Sequence, residues 1–288
     1  MAIQVKAVSS KKEMKTFIRF ANRLYKDNRY YVPSMPSDDM ATFDKGHNEA
    51  FAFSEAELYL AYKDGEVVGR VAAIINNKAN EAWGVKQVRF GWIDFIDDLE
   101  VSGALLDAVI DFGRKHGMTQ IVGPLGFTDF DPEGMLMEGY DRISTMALIY
   151  NHPYYPEHMK KHGYVKETGW IENRITIPEA LPEKFNCVAD LVHQKYNLKV
   201  RKFTISQIKK LGYGRKFFHL INKTYCNLYG FSLLSDKQID DFVDVHLSLL
   251  DARMLTFIED ENGELIAGGI SMPSIAEALQ KCSGELLP

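Results

Sequence analysis

VRFGWIDFIDDLEVSGALLDAVIDFGRKHGMTQIVGP, residues 88–124, reads as strand, tight loop, amphipathic helix and strand. Val88 to Ile96 is dense in β-branched and aromatic residues, the composition of a buried strand. Val101, Leu105, Val109 and Phe112 then recur at helical spacing and leave Asp107, Asp111, Arg114 and Lys115 for solvent. The helix is expected to stop at Gly117, after the basic run Arg114, Lys115, His116. A strand that passes through a short loop into a helix presents free backbone N–H groups at the helix start, where a phosphate can sit.

Working outward, Ile3 to Val8 alternates like a short strand, and Ser9 or Ser10 caps a helix over Lys11 to Lys26 with Met14, Phe17, Ile18, Ala21 and Leu24 inward. Asp27 to Phe53 is a long irregular loop with a short helix near Ser37 to Thr42. Glu57 to Tyr62 and Val67 to Ile75 flank Asp64-Gly65, the signal of a tight hairpin, and lead directly to the strand at Val88. Past Pro124 comes GFTDFDPEGMLMEGYDRISTM, a Gly-rich acidic loop beyond the strand Thr119 to Val122, on the side where α/β sheets place ligands. Met146 to Tyr150 reads as a further strand, Pro156 to His162 as a short helix, and Tyr164 to Ile177 as one or two closing strands. The sum is an α/β fold with a mixed sheet.

A chain of 288 residues is long for one core and suits two domains. With 46% hydrophobic, 12% aromatic and 25% charged residues the composition is globular. No apolar run approaches the ~20 residues of a membrane helix, and the first residues lack a signal-peptide core, so the expectation is a cytoplasmic protein without a membrane span. Cys187, Cys226 and Cys282 suggest neither a disulfide framework nor a zinc site. A net charge of -5 with interspersed signs argues against nucleic acid as a partner.

The order of elements resembles the GNAT acyltransferase superfamily: a strand and helices, a three-strand meander, then a strand-loop-helix. Ser102-Gly103-Ala104-Leu105-Leu106 looks like the end of the family's R/Q-x-x-G-x-G/A signature, and Asn151 with the short helix and Gly163-Tyr164 looks like its closing pattern. More narrowly, YYVPSMP, DGEVVGRVAAIIN, GPLGFTDFDPEG and YNHPYYPEHMKKHGY are similar to tandem GNAT-like bacterial proteins. The resemblance spans about residues 3 to 177. It implies a GNAT-like acyl-CoA N-acyltransferase fold with acyl-CoA or acetyl-CoA as co-substrate. Phe95, Ile96, Glu100, Val101, Ser102, Gly103 and Asn151 would lie toward the donor, and Tyr155, or its neighbour Tyr154, would stand in as the acid, because Met159 occupies the family's tyrosine position. The chain also departs from the signature: Asp97, Glu100 and Ser102 stand where Arg or Gln and two glycines are expected, beside Asp98, and such an acidic cluster repels a diphosphate.

From Leu198 the chain reads as a partial repeat. Phe217, Asn222 and Tyr225 repeat Phe17, Asn22 and Tyr25 at an offset of 200. Val200 to Thr204 reads as a strand, Gly214 to Tyr229 and Asp236 to Leu250 as helices, and Met254 to Glu259 with Glu264 to Met272 as a second hairpin in which GELIAGG answers GEVVGR. Ser274 to Gln280 is a helix start. The expected organisation is a GNAT-like domain over 1–180, a linker helix over 181–197 and a partial second GNAT-like domain over 198–288. A half sheet leaves an open edge, so that unit is expected to be incomplete, or to lean on the first domain or on a partner such as a second copy.

Phe90, Trp92, Asp94 and Ile96 fall on one strand face by the two-residue period. An acid among aromatics has a raised pKa and suits a general base for an amine; the alternative is a structural pair with Arg89 or Arg70. Asp129, Asp131 and Glu133 either hold a cation or shape turns. His158 and His162 have metal-ligand spacing near His152, but no third ligand is in view, so no metal is expected. The function these readings favour is transfer of an acyl group from a thioester to an amine, with a small-molecule or amine substrate as partner. The alternatives are a non-catalytic or differently liganded binding protein of the same fold, and a transferase served by an acyl-carrier or aminoacyl donor.

Overall fold

The computed structural model describes residues 2–247 and 250–285, with His246 as backbone alone. In chain order it contains β1 (Gln4–Ala7), α1 (Lys11–Leu24), α2 (Pro36–Thr42), a 3-10 turn (Glu49–Ala52), β2 (Ser54–Lys63), β3 (Glu66–Asn76), α3 (Asn77–Trp83), β4 (Gln87–Phe95), α4 (Leu99–Lys115), β5 (Gln120–Val122) and α5 (Tyr154–Lys161). It continues with α6 (Glu183–Tyr196), β6 (Lys199–Arg201), α7 (Ile205–Lys210), α8 (Tyr213–Tyr225), α9 (Asp236–Leu247), a 3-10 turn (Ala252–Met254), β7 (Leu255–Glu259), β8 (Leu265–Ile270) and α10 (Ala276–Lys281). The expected helix over Asp236 to Leu250 runs onto residues 248 and 249, which lie outside the described residues, as do 286–288 of the terminal segment.

The chain divides into two compact units: Met1–Gly169 with Tyr229–Ser232 and Ser274–Pro288, and Trp170–Leu228 with Leu233–Pro273. The first unit is mixed α/β. Its five strands lie in the order β1-β2-β3-β4-β5, antiparallel except for the parallel pair β4–β5, which α4 joins. Local chemistry starts the elements: Ser10 and Glu13 form a capping box on α1, and Asp64 and Gly65 take the positive φ angles of the β2–β3 turn. On one face of the sheet α4 buries Val101, Leu105, Leu106 and Val109 against Val71, Ala73, Val88, Phe90, Ile93 and Phe95. Each Val, Leu, Ile or Phe among them, withdrawn from water, contributes roughly 1.5–3 kcal/mol. On the other face α1 packs Phe17 and Ile18 with Phe43, Leu60, Ile74, Trp92 and Phe127.

Phe90 and Trp92 therefore lie on opposite faces, which corrects the single face expected from alternation. The cause is a β-bulge: Arg70 pairs with Asp94 but Ala72 with Gly91, so three steps on β4 oppose two on β3, and Trp92 adopts φ 45°. The extra residue resets the parity, leaving Phe90 with Ile93 and Phe95, and Trp92 on the face of α1. Gly91 is required beside the bulge, because a Cβ there would lie 2.6 Å from the Leu125 carbonyl oxygen.

Three further expectations are corrected. The hairpin does not lead straight to β4; α3 intervenes, capped by Asn76 and closed by Gly84 in the left-handed region. Met146 to Tyr150 and Tyr164 to Ile177 form no strand among the described residues. The first is held as a loop, with the Ser144 N–H donating to Tyr30 O and the Tyr150 hydroxyl accepting from Asn28. In the second, Val165, Ile171, Ile175 and Ile177 are exposed. α10 packs Ala276 and Leu279 on Val32 within the first unit, and Gln280 donates to Arg29 O and Tyr31 O.

The second unit has an antiparallel sheet in the order β6-β7-β8, the order of β1-β2-β3. Its core gathers Ile208, Tyr213, Leu247, Leu255 and Phe257. Asn22 donates to the carbonyl of Ser34, and Asn222 to that of Leu234, the same span 200 residues on. α2 begins at Pro36 and α9 at Asp236, again 200 apart. Val200, Ile266 and Ile270 are exposed.

Candidate active site

The polar centre of the first unit sits just past the bulge. Arg70 interrupts the otherwise apolar interior of β3, and its buried guanidinium must find an anion. It finds Asp94 across the ladder, with Nε and Nη2 at 2.9 and 2.8 Å from Oδ2. Its Nη1 donates to the carbonyls of Phe17 and Ile18 at the middle of α1. Burial alone would lower the Arg70 pKa; Asp94 and Asp39 outweigh it and raise it. Asp39, at the start of α2, accepts from Trp92 Nε1 at 3.0 Å, and burial pushes its carboxyl up.

Two tyrosines close the other side of Asp94. The Tyr25 hydroxyl lies 3.3 Å and the Tyr155 hydroxyl 3.2 Å from Asp94 Oδ1, and the two hydroxyls are 2.7 Å apart. Tyr155 also accepts from the Phe95 N–H at 3.0 Å, and its ring stacks on Phe95 at 4.2 Å. Tyr154 donates to Phe95 O at 2.6 Å. The last backbone groups of β4 are thus bracketed by the first turn of α5, which begins two residues earlier than expected and so carries both tyrosines. Burial, then the charge of Asp94, raises the pKa of Tyr25 and Tyr155; burial and then Asp97 and Asp94 raise that of Tyr154. Tyr25 and Tyr155 are buried, whereas Tyr154 and His152 are half-buried at the rim. His152 lies 4.8 Å from the Tyr25 ring and 5.3 Å from that of Tyr154, and burial lowers its pKa, which favours the neutral imidazole.

The loop that the resemblance assigns to a donor diphosphate is organised differently. Asp98 caps α4: its Oδ1 accepts from the Glu100 N–H at 2.9 Å, and its carbonyl accepts from Val101 and Ser102. Its Oδ2 meets Lys63 Nζ at 2.6 Å, which holds the carboxyl below the usual range. Ser102, fully buried, stands between His158 Nδ1 at 2.9 Å and His162 Nε2 at 2.8 Å, while His158 Nε2 lies 3.0 Å from Asp97. The two histidines with metal-ligand spacing converge on this hydroxyl, and among the described residues no His, Cys, Asp and Glu group is arranged to hold a metal. With Ser102 sealed off from solvent, the serine, histidine and aspartate do not present a nucleophile. Ile96 continues β4 by donating to Val68 O, Glu100 is exposed, Val101 is core, and a Cβ on Gly103 would touch the His162 ring at 3.0 Å. Asn151 is buried and grips the loop, accepting from Leu136 N at 2.6 Å and donating to Leu136 O at 3.2 Å.

Of the residues expected at the site, Asp94, Phe95 and Tyr155 come together, and Asp94 pairs with Arg70, the alternative left open by the sequence. Arg89 instead donates to Gly126 O and Gly230 O, near Asp129, Asp131 and Glu133. The sequence offers Tyr25 only as part of the repeat and does not mark Asp39; the signal that leads to Asp39 and Asp94 is Arg70, a lone cation inside an apolar strand.

Burial pushes Glu133 up to about 7 and Asp129 and Asp131 up to about 6, from ordinary values of 4.5 and 3.8. Between those values the folded chain holds more protons than the unfolded one, so this loop's contribution to stability falls as pH rises from about 4 to about 7. The expected result is that the stability gap between the wild type and Glu133→Gln shifts against the wild type between about pH 4.5 and 7 in urea titrations. A gap independent of pH would contradict the burial argument.

No family model matches the chain. It is 24% identical over 295 residues to the protein YghO of Escherichia coli K12, covering 99% of this chain and 72% of that one. It is 25% identical over 300 residues to the bacterial ceramide synthase of Caulobacter vibrioides, covering 99% of this chain and 74% of that one. Among solved structures, a predicted acetyltransferase of Clostridium acetobutylicum with acetyl-CoA matches 60% of this chain and 96% of its own, with 10% identity and a TM-score of 0.36. Among the described residues, no helix is long and apolar enough to cross a membrane.

Proposed function

We propose that the first unit is a GNAT-type N-acyltransferase that moves an acyl group from a thioester to an amine, and that the second unit is a partial copy of the same fold. The observation that carries the activity is the convergence at the end of bulged β4 of Asp94, Tyr154, Tyr155 and His152 around the Phe95 peptide. In the reaction the amine nitrogen attacks the thioester carbonyl, the C–N bond forms, the C–S bond breaks, and the amine's proton leaves. The neutral imidazole of His152 is placed at the rim to take that proton; the Tyr154 hydroxyl, released from the Phe95 carbonyl, gives its proton to the departing sulfur and regains one from the imidazolium. Asp94 and Tyr155 form the buried floor that orients them. Amide formation is also what the name of the Caulobacter relative entails, since a ceramide is an N-acylated long-chain amino alcohol.

The test is thermal shift of the full chain with acetyl-CoA, a long-chain acyl-CoA and free CoA at millimolar concentration. An acyl thioester is expected to raise Tm by several degrees, as ligand well above its Kd stabilises by about 2–4 kcal/mol. No shift with either thioester removes the reading. The self-capped acidic start of α4 favours a second reading, a binding protein on the same fold; a shift without amide formation across an amine panel would select it.

A further inference from the structure

A diphosphate is gripped by three kinds of group: open backbone N–H groups at a helix start, hydroxyls, and cations. At the start of α4 a representative of each is already engaged within the chain. The Glu100 N–H is taken by the Asp98 carboxylate, the Ser102 hydroxyl lies between His158 and His162, and Lys63 is paired with Asp98. The exposed charges at this entrance are anionic: Glu100 is exposed, and the Asp97 side chain is 68% exposed. The side chains present do not fit a diphosphate at this loop.

We propose that the chain accepts its acyl group from a pantetheine thioester without gripping the nucleotide diphosphate, so that the acyl chain and the pantetheine arm are the recognised donor. This rests on the thioester reading above and narrows its donor class. The adenosine diphosphate of CoA then adds nothing to affinity, and the same thioester on pantetheine serves equally well.

The experiment uses unreactive thioethers, S-ethyl and S-hexadecyl, of CoA and of pantetheine, titrated calorimetrically into the full chain at about 50 and 500 mM salt. Equal Kd within about threefold for the CoA and pantetheine forms, with little salt dependence, is the expected result. A CoA form bound tenfold or more tightly than its pantetheine counterpart overturns the inference and leaves the thioester reading standing. Failure of all four to bind overturns both. As a second arm, Glu100→Gln is expected to change the CoA-thioether Kd by less than twofold. Tightening beyond fivefold, absent with the pantetheine form, would place the diphosphate at this loop and also overturn the inference.

Discussion

Asp94→Ala is expected to destabilise the first unit by about 3–5 kcal/mol, because it strands the Arg70 guanidinium without its carboxylate in the core. The Arg70 side chain is 5% exposed and that of Asp94 11%, so water cannot take over the missing interaction without opening the fold. The same change removes an acceptor shared by the Tyr25 and Tyr155 hydroxyls. Urea denaturation measures the loss as a lowered midpoint. Replacing both partners, Arg70→Met with Asp94→Leu, is expected to recover only part of it: the stranded guanidinium is gone, but the buried Asp39 loses its cation and the Tyr25 and Tyr155 hydroxyls still lose their acceptor. A single-variant loss below about 1 kcal/mol would mean that the pair is solvated.

The second large effect separates two adjacent tyrosines. Tyr155→Phe removes the hydroxyl that accepts from the Phe95 N–H and joins Tyr25 and Asp94, which leaves buried polar groups unmet at a cost of about 1–3 kcal/mol. Tyr154→Phe frees only the Phe95 carbonyl, which the half-buried Tyr154 side chain reaches from the rim, and a water following the lost hydroxyl can meet it, so Tm is expected to fall by less than for Tyr155→Phe. In turnover the order reverses per unit of stability lost. Tyr154→Phe should cut kcat by on the order of 10²–10⁴ with an amine that the wild type acylates, as expected for loss of a general acid. Unchanged kcat in a stable Tyr154→Phe protein would remove Tyr154 from the chemistry.

The legible parts of this chain are those written in neighbours along the sequence. Ser10 and Glu13 cap α1, Asp64-Gly65 turns the hairpin, and the period of Val101, Leu105 and Val109 gives α4, because each signal acts within a few residues. The paired strands of the second unit were readable for the same reason. The misses have the opposite character. Tyr164 to Ile177 has strand-like composition, yet a strand exists only where a partner ladder is available.

By itself, the sequence determined local elements such as α1, the β2–β3 hairpin and α4, and the acidic character of the α4 entrance. Tertiary structure alone decided which partners surround Asp94 in the candidate site. Tyr25 meets Tyr155 across 130 residues, and Arg70 meets Asp94 across 24. The bulge at Trp92 places Asp94 on the face where Arg70 reaches the carbonyls of α1. One inserted residue flips side-chain parity without leaving a distinctive residue behind, so its consequence is visible only once β3 and β4 are paired. The α4 entrance shows the same division: its charges are plain in Asp97, Asp98 and Glu100, but the engagement of its hydroxyl and of the Asp98 carboxylate depends on His158, His162 and Lys63 arriving from elsewhere in the fold.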